Sequence, residues 1–250
     1  DQVIKYIKRI IKIRKLIIKS NNTSFLPFNR MKVRLKKEIV SLGCGKINVN
    51  KFNGTLISPK EWDQIINDKN ITVLDVRNNF EINIGRFHNA LNPNTNNFRE
   101  FPKSFQKLNI SKKTKIAMYC TGGIRCEKAS AYLKFIGYNN VVQLEGGILN
   151  YLNYKSKMNK NTNWDGDCFV FDNRVSVNNK LKKGKYIQCF GCRHPLETKD
   201  TQSDLYKKGV HCPKCYHIRS TEQKKRSEIR QKQIELAESQ NKDHVFKRIT

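Results

Sequence analysis

Hydrophobic and polar positions follow a helical period at the start of the chain and a strand-like period soon after. Residues 3–13 carry Val and Ile at helical spacing, which predicts a helix. Two stretches, 15–19 and 31–40, predict strands on either side of a polar loop. One helix and two strands are too few for a domain. We therefore expect residues 1–45 to be the end of a small α+β domain, and the chain, which begins with Asp, to be a fragment or a processed product.

Residues 50–157 alternate short apolar runs with helical patterns, which is typical of an α/β fold with a parallel sheet flanked by helices. We expect its strands at 72–76, 115–119 and 140–144. Helices are expected over 58–66, in parts of 98–108, over 126–137, and after Gly146-Gly147 through 154. The first helix should open on Ser58-Pro59-Lys60-Glu61, a capping box with proline at the first helical position.

The rest of the chain is expected to be rich in loops and to end in a helix. Residues 158–219 should form one module, in which a linker carries a hairpin-like pair, 168–171 and 174–177, and a later stretch holds four cysteines. Ser220 to Gln223 form a capping box for a charged helix that runs to about Gln240 within residues 220–250. This helix has few apolar positions, so we expect a solvated terminal helix.

Charge changes this picture, because 250 residues carry a net charge of +28. Such an excess indicates a polyanionic partner, with nucleic acid as the first candidate and an anionic membrane surface as the second. Abundant Asn, Lys and Ile indicate that an AT-rich genome accounts for part of this excess of positive charge.

The sequence also bears on where the protein is located. Residues 2–19 superficially resemble a transit peptide. There is no run of 18 apolar residues, so we expect no membrane-spanning segment. Eight cysteines, with two C-x-x-C pairs, favour a reducing compartment over a disulfide framework.

The strongest chemical signal is a cysteine between an apolar strand and a helix. Cys120 follows residues 115–119 and is itself followed by Thr121, Gly122, Gly123, Ile124 and Arg125. Backbone N–H groups and the helix dipole at such a turn favour the thiolate over the thiol. We therefore expect Cys120 to be a nucleophile in an anion-binding loop. The alternative is a buried structural cysteine.

A second cysteine group lies in the loop-rich module. Cys189, Cys192, Cys212 and Cys215 follow the pattern C-x2-C-x19-C-x2-C, in which four thiolates can meet around one ion. We expect a closed, structural zinc site that supplies folding energy to a segment without a core of its own. Redox dithiols or unligated thiols are the alternative. His194, His211 and His217 are nearby, and we expect them at the surface or on nucleic acid and not among the ligands.

Several motifs in the α/β part resemble the rhodanese family. Asp75-x-Arg77 with Glu81, Gly85 and Ala90 is similar to its first signature, Cys120 to Arg125 to its active loop, and residues 144–148 to its closing signature. The loop length is informative, because related phosphatases use C-x5-R and here four residues separate Cys120 from Arg125. Phosphate or arsenate chemistry is therefore not expected. Asp75 and Arg77 are expected to tie loops together and not to react.

The chain from about residue 15 to about residue 217 also resembles a narrower group, the bacterial rhodanese-like tRNA uridine hydroxylases. The resemblance rests on residues 120–128, 27–28, 37–40, 77–78, 98–102, 146–149, 168–172 and 174–175. It implies that residues 1–45 are the last helix and strands of a ferredoxin-like N-terminal domain, truncated here, and not a transit peptide. It also implies oxygen-dependent 5-hydroxylation of the wobble uridine of tRNA.

The same resemblance implies roles for the loop residues. Cys120 would be catalytic and pass through a persulfide, Arg125 would orient the anionic intermediate, and the amides of Thr121 to Ile124 would stabilise it. Cys126 would either resolve a persulfide or sulfenate on Cys120 or pack at the helix N-terminus. The partner would be tRNA, the co-substrate molecular oxygen, and the compartment the cytoplasm, or a plastid or mitochondrion in a eukaryote. The electron donor is not implied.

Two other functions stay open at this point. One is a persulfide carrier or thiosulfate sulfurtransferase, which would need neither the basic charge nor the flanking modules. The other is a non-catalytic RNA-binding protein on a rhodanese scaffold, which would not need Cys120 and Arg125. The sequence therefore favours the tRNA-modifying oxidoreductase over both.

Overall fold

A computed structural model describes residues 2–12, 33–45 and 47–242, together with Leu16, Ile18, Phe25, Pro27 and Phe28. The helices are α1 (Gln2–Ile10), α2 (Val49–Phe52), α3 (Trp62–Asn67), α4 (Asn79–Ile82), α5 (Phe101–Gln106), α6 (Ile124–Phe135), α7 (Gly147–Lys157), α8 (Thr198–Thr201) and α9 (Thr221–Ser239). The strands are β1 (Thr55–Ile57), β2 (Ile71–Asp75), β3 (Gly85–Phe87), β4 (Lys115–Tyr119), β5 (Val141–Leu144), β6 (Trp164–Gly166), β7 (Cys168–Phe169), β8 (Ser176–Val177), β9 (Ile187–Gln188) and β10 (Pro195–Leu196).

A four-stranded parallel sheet in the order β1-β5-β4-β2 forms the centre of the protein. Ala117 of β4 pairs with Val73 of β2 on one side and with Val142 of β5 on the other. The three predicted strands are confirmed to within one residue at each end. Their continuous apolar runs fit strands that are covered on both faces.

Helices cover both faces of this sheet, as predicted. One face packs against α3 and α7 in a core that includes Trp62, Tyr151 and Leu152. The other packs against α5 and α6 in a core that includes Phe105 and Leu133. Neighbouring residues of a strand point to opposite faces, so β2, β4 and β5 each contribute to both cores.

Some helices begin at other residues than the sequence predicts. Ser58 does hydrogen-bond the Glu61 carboxylate, at 2.6 Å from its Oγ, but this contact stabilises a turn and α3 starts at Trp62. Helix α6 begins two residues earlier than predicted, at Ile124, because Gly123 adopts a left-handed φ of 92° and directs the chain into the helix. Arg125 therefore lies in the first turn of α6.

The N-terminal expectations are met only in part. Helix α1 is present, and most of the strand expected over 15–19 lies outside the described residues. The strand expected over 31–40 is absent from its described portion, 33–40, where Val33 and Leu35 are fully or largely exposed. A strand needs a paired neighbour, and none lies beside this segment within the described ranges. The ferredoxin-like assignment of residues 1–45 stays a prediction.

The C-terminal part contains the predicted hairpin and a docked helix. Strands β7 and β8 pair antiparallel, and β9 and β10 form a second hairpin. The expectation of a freely solvated α9 is wrong, because Ser227, Gln231 and Ile234 are buried. Two of these three residues are polar, so the sequence of α9 has no apolar stripe that would predict its packing against the rest of the protein. No helix in the described ranges is long and apolar enough to cross a membrane.

Phe87 lies at the centre of an aromatic cluster, and its truncation tests the core. Its ring centroid is 4.8 Å from that of Tyr119, 4.9 Å from Tyr151 and 5.1 Å from Trp164. Phe87→Ala should lower the free energy of unfolding by about 3–5 kcal/mol, because a large cavity remains. Leu35→Ala, at a side chain that is 103% exposed, should change it by less than about 0.5 kcal/mol. Equal urea midpoints for the two variants would contradict this packing.

Candidate active site and cysteine cluster

The loop that carries Cys120 connects the carboxyl end of β4 to the amino end of α6. Hydrogen bonds from the first turn of α7 hold this loop in place. The backbone N–H of Ile148 donates to the Cys120 carbonyl at 2.9 Å, and that of Leu149 donates to the Thr121 carbonyl at 3.1 Å. First-turn N–H groups have no partner within their own helix, so the loop carbonyls satisfy them.

Gly147 makes this close approach possible. Its φ is 68°, and a Cβ atom there would lie 2.4 Å from the Cys120 carbonyl oxygen and 2.7 Å from the Gly123 nitrogen. Any side chain would therefore force the loop away from α7. The glycine of the closing signature thus has a steric reason to be there.

Several donors stabilise the thiolate of Cys120. The Gly123 N–H lies 3.2 Å from its Sγ atom. Burial raises the pKa of Cys120, but hydrogen bonds from Cys126, the Arg125 charge and the backbone N–H groups of Cys126 and Arg125 outweigh it and lower the pKa to about 6. A lowered pKa is what an activated thiolate requires, and the nucleophilic role of Cys120 stays a prediction. Two of its backbone donors lie just beyond the predicted set, Thr121 to Ile124.

Cys126 is a fully buried thiol next to Cys120. Burial raises its pKa well above the usual range, and so do its hydrogen bond to Cys120 and the charge of that thiolate. It therefore stays protonated, so that its S–H donates to the Cys120 sulfur. Of the two roles left open by the sequence, this environment favours a buried packing residue, with the added task of hydrogen-bond donor.

Arg125 is bound to a carboxylate that the sequence did not single out. Its Nη1 and Nη2 atoms donate to the two oxygens of Glu81 at 2.6 and 2.7 Å, and Nη2 also donates to the Thr121 hydroxyl at 3.2 Å. Burial alone would raise the pKa of Glu81, but Arg125, assisted by the charge of Arg77, holds that pKa below its usual value. The guanidinium is fixed in place, and part of its charge is offset.

Buried groups of alternating charge lead from the sheet to the loop. Asp75 accepts from the Arg77 guanidinium at 2.6 Å, and Arg77 also donates to the Glu81 carbonyl at 3.3 Å. Glu81 pairs with Arg125, whose charge acts on the Cys120 thiolate. Isolated buried charges are costly, so each member of this series depends on its neighbours. As predicted, Asp75 and Arg77 have a structural role; Arg77 also donates to the Gly85 carbonyl at 2.7 Å.

Two residues of the site escaped the sequence analysis as functional groups. Glu81 was noted only as part of a signature, yet it accepts from the Asn78 N–H as well as from Arg125. Phe171 lies with its ring centroid 5.8 Å from the Arg125 guanidinium. Both contacts span more than 40 residues of sequence, so no local pattern reports them.

The four cysteines of the C-terminal module come together as the spacing predicts. Their sulfur atoms all lie within 4.8 Å of one another, and Cys189–Cys215 and Cys192–Cys212 are 3.9 and 3.8 Å apart. Zinc–sulfur bonds of about 2.3 Å in a tetrahedron place sulfur atoms about 3.8 Å apart. Disulfide bonds would need about 2.05 Å, and all four thiols are free. The donor set and its spacing fit one zinc ion.

Among the described residues the metal-ligand group contains the four cysteines and none of the three nearby histidines. The surface position expected of these histidines holds for His217 but is wrong for His211, which is buried. His211 hydrogen-bonds the Leu205 carbonyl through Nδ1 at 3.0 Å, and the His194 ring packs edge-on against Phe80. Arg219 donates to the Gly191 carbonyl within the first C-x-x-C knuckle and to Ser227 of α9 at 2.7 Å. The terminal helix is therefore attached to the cluster directly.

Part of the chain is similar to known proteins of one family. The model of the family described as "Rhodanese-like domain" matches residues 58–154. A rhodanese-related protein of Thermoplasma volcanium with a solved structure is 29% identical, with a TM-score of 0.35. The match covers 40% of this chain and 92% of the Thermoplasma chain.

Two relatives match much more of the chain. The tRNA uridine(34) hydroxylase of Teredinibacter turnerae is 49% identical over 220 residues, which is 88% of this chain and 68% of the relative. That of Pelagibacter ubique is 48% identical over 244 residues, 97% of this chain and 79% of the relative. Identity of this extent, with the rhodanese-type sheet and cysteine loop in place, means that the chain belongs to the tRNA uridine(34) hydroxylase family.

Proposed function

We propose that this protein hydroxylates the wobble uridine, position 34, of tRNA at its C5 atom. The names of its relatives describe them as hydroxylases of uridine 34 of tRNA. The observation that carries the proposal is the Cys120 loop. This chain, about half identical to these hydroxylases, has a buried cysteine with a pKa near 6, fixed donors and a paired arginine. A protein that only bound RNA would gain nothing from such a thiolate.

Cys120 is the catalytic group in this proposal, because its thiolate is nucleophilic at neutral pH. Gly123 and the first-turn amides of α6 stabilise negative charge on the sulfur or on an atom attached to it. Arg125, held by Glu81, supplies fixed positive charge beside it. Cys126 donates its S–H to the sulfur of the resting thiolate.

Molecular oxygen is the proposed source of the new hydroxyl group. One oxygen atom enters the C5–H bond of uracil, and the second leaves as water. That reduction consumes two electrons and two protons, so a two-electron donor takes part in each turnover.

The basic charge of the chain and its C-terminal module support tRNA as the partner. A net charge of +28 favours the phosphate backbone. We propose that the cysteine cluster holds one structural zinc ion, which stabilises the module and the α9 helix attached to it. Eight free cysteines suit a reducing compartment, and we propose the cytoplasm.

A Cys120→Ala variant tests the catalytic assignment. Expressed in cells that lack their own enzyme, it should leave wobble 5-hydroxyuridine absent, since nothing else in the loop replaces the thiolate. Nucleoside mass spectrometry of bulk tRNA measures the outcome. Cys44→Ala is the matched control, because Cys44 is a partly buried thiol outside the loop, and it should restore the modification. Persistence of 5-hydroxyuridine with Cys120→Ala would rule out the proposed function.

The lowered pKa of Cys120 predicts a pH dependence of both ionisation and stability. The ultraviolet absorbance of the thiolate, taken as wild type minus Cys120→Ala, should rise with a midpoint near pH 6, against about 8.5 for a free cysteine. Between these values the unfolded chain binds more protons than the folded one. The free energy of unfolding of wild type should therefore rise relative to that of the variant as the pH rises from about 6 to about 9. Below about pH 6 this contribution of the thiolate should be absent. A midpoint above pH 8 would contradict the loop electrostatics.

The zinc proposal predicts one zinc ion per chain by elemental analysis. Cys192→Ser should lower zinc content severalfold and make residues 187–219 sensitive to protease, because the module has almost no other core. The rhodanese-type sheet should stay folded, since its core is separate. Cys44→Ser should keep full zinc content. A metal-free protein with a protease-resistant module would refute the proposal.

A further inference from the structure

Phe171 presents an aromatic ring to solvent next to the active loop. Its side chain is 62% exposed, and the Arg125 guanidinium lies 5.8 Å from its ring centroid. Cys120, in contrast, is 1% exposed. A substrate therefore meets the surface around the loop before it reaches the sulfur, and Phe171 is part of that surface.

The ring of Phe171 is supported from behind. It packs edge-on against Phe169, which is buried, with ring centroids 5.1 Å apart. Phe169 in turn packs edge-on against Phe80 at 5.1 Å, and Phe80 packs against His194 at 5.2 Å. An aromatic row of this kind holds the outermost ring in a defined position.

The turn that carries Phe171 is also fixed. The Arg174 guanidinium donates to both oxygens of Asp172, at 3.0 Å to Oδ1 and 2.6 Å to Oδ2, and the Val170 N–H donates to the Val175 carbonyl at 2.9 Å. Val175 has a φ of 64°, a left-handed conformation that is strained for a β-branched residue. Strain of this kind persists only where surrounding contacts determine the conformation.

An exposed phenylalanine is not by itself evidence of a binding site, because single apolar side chains are common on protein surfaces. Phe135 is such a case. Phe135 is 63% exposed, but it lies at the far end of α6 from Arg125 and contacts Phe52. At 1.5 Å per residue it is on the order of 15 Å along the helix from that arginine. What distinguishes Phe171 is its position beside the loop and its rigid support.

We propose that Phe171 is the stacking platform for the target uracil of the RNA substrate. This inference rests on the proposed function and adds the residue that holds the base. A base must leave the anticodon stack before its C5 atom can approach a buried loop, and single-stranded bases that do so stack on aromatic side chains.

The chemistry of the ring argues for a base over a small anion. Thiosulfate or another inorganic sulfur donor gains nothing from an apolar face, whereas a uracil ring gains stacking energy on it. The Arg125 cation already lies near this ring, so a base on Phe171 would rest next to the fixed charge of the active loop.

The test measures binding of two RNA hairpins that copy the anticodon stem-loop, one with uridine and one with an abasic site at the wobble position. Wild type should bind the uridine hairpin about tenfold or more tightly than the abasic one, because the stacked base is missing from the second. Phe171→Ala should lose that preference and bind both hairpins like wild type binds the abasic one. Phe171→Trp should retain it.

Phe135→Ala is the matched control, since it removes an equally exposed ring away from the loop, and it should keep the wild-type preference. Equal loss of affinity by Phe171→Ala for both hairpins would overturn the inference, as would an unchanged preference or a wild type that does not distinguish the hairpins. Hydroxylation is measured separately as wobble 5-hydroxyuridine in the tRNA of cells that lack their own enzyme and express the wild type, because the cell supplies both oxygen and the electron donor. A wild type that binds through Phe171 without producing 5-hydroxyuridine would refute the proposed function and leave the stacking role standing.

Discussion

The hydrogen bonds between the first turn of α7 and the Cys120 loop are the constraint on which the site depends. They fix the carbonyls of Cys120 and Thr121 towards α7. Each carbonyl shares a planar trans peptide unit with the next N–H, so the amides of Thr121 and Gly122 must point away from that helix. The loop carbonyls are thus used by α7, and the backbone N–H groups that stabilise the thiolate come from Gly123, Arg125 and Cys126. The helix N-terminus that holds the loop also gains partners it would otherwise lack.

The buried charges extend this constraint towards the sheet. Arg125 would be expensive to bury alone, and Glu81 offsets that cost with a bidentate contact. The compensation reduces the net charge that Arg125 presents to Cys120. Hydrogen bonds, which act over short distances, therefore carry much of the thiolate stabilisation, in accord with the Gly123 and Cys126 contacts. Glu81 is thus a positioning residue for the loop and also sets how cationic the loop is.

Local patterns were sufficient to predict the parallel sheet, most helices, the Cys120 loop and the four-cysteine cluster, because each has a short period or spacing. Contacts between distant segments were not predictable in this way. Glu81 and Arg125 are 44 residues apart, and α9 docks through Ser227 and Gln231, which look like solvent-facing residues in a helical pattern. The segment 33–40 alternates like a strand but has no strand beside it in the described ranges. Pairing partners, and not alternation alone, decide whether a strand forms.

Helix α4 connects the two halves of the proposed site although it spans only four residues. Glu81 leaves it towards Arg125, and the adjacent Phe80 leaves it towards Phe169 and His194. His194 lies two residues after Cys192, so the aromatic row behind Phe171 ends at the cysteine cluster. The ring proposed to hold the base and the arginine beside the thiolate are therefore positioned from the same short helix. A shift of α4 would move the Phe171 ring and the Arg125 guanidinium together. The proposed position of the base relative to the Cys120 sulfur would therefore be preserved.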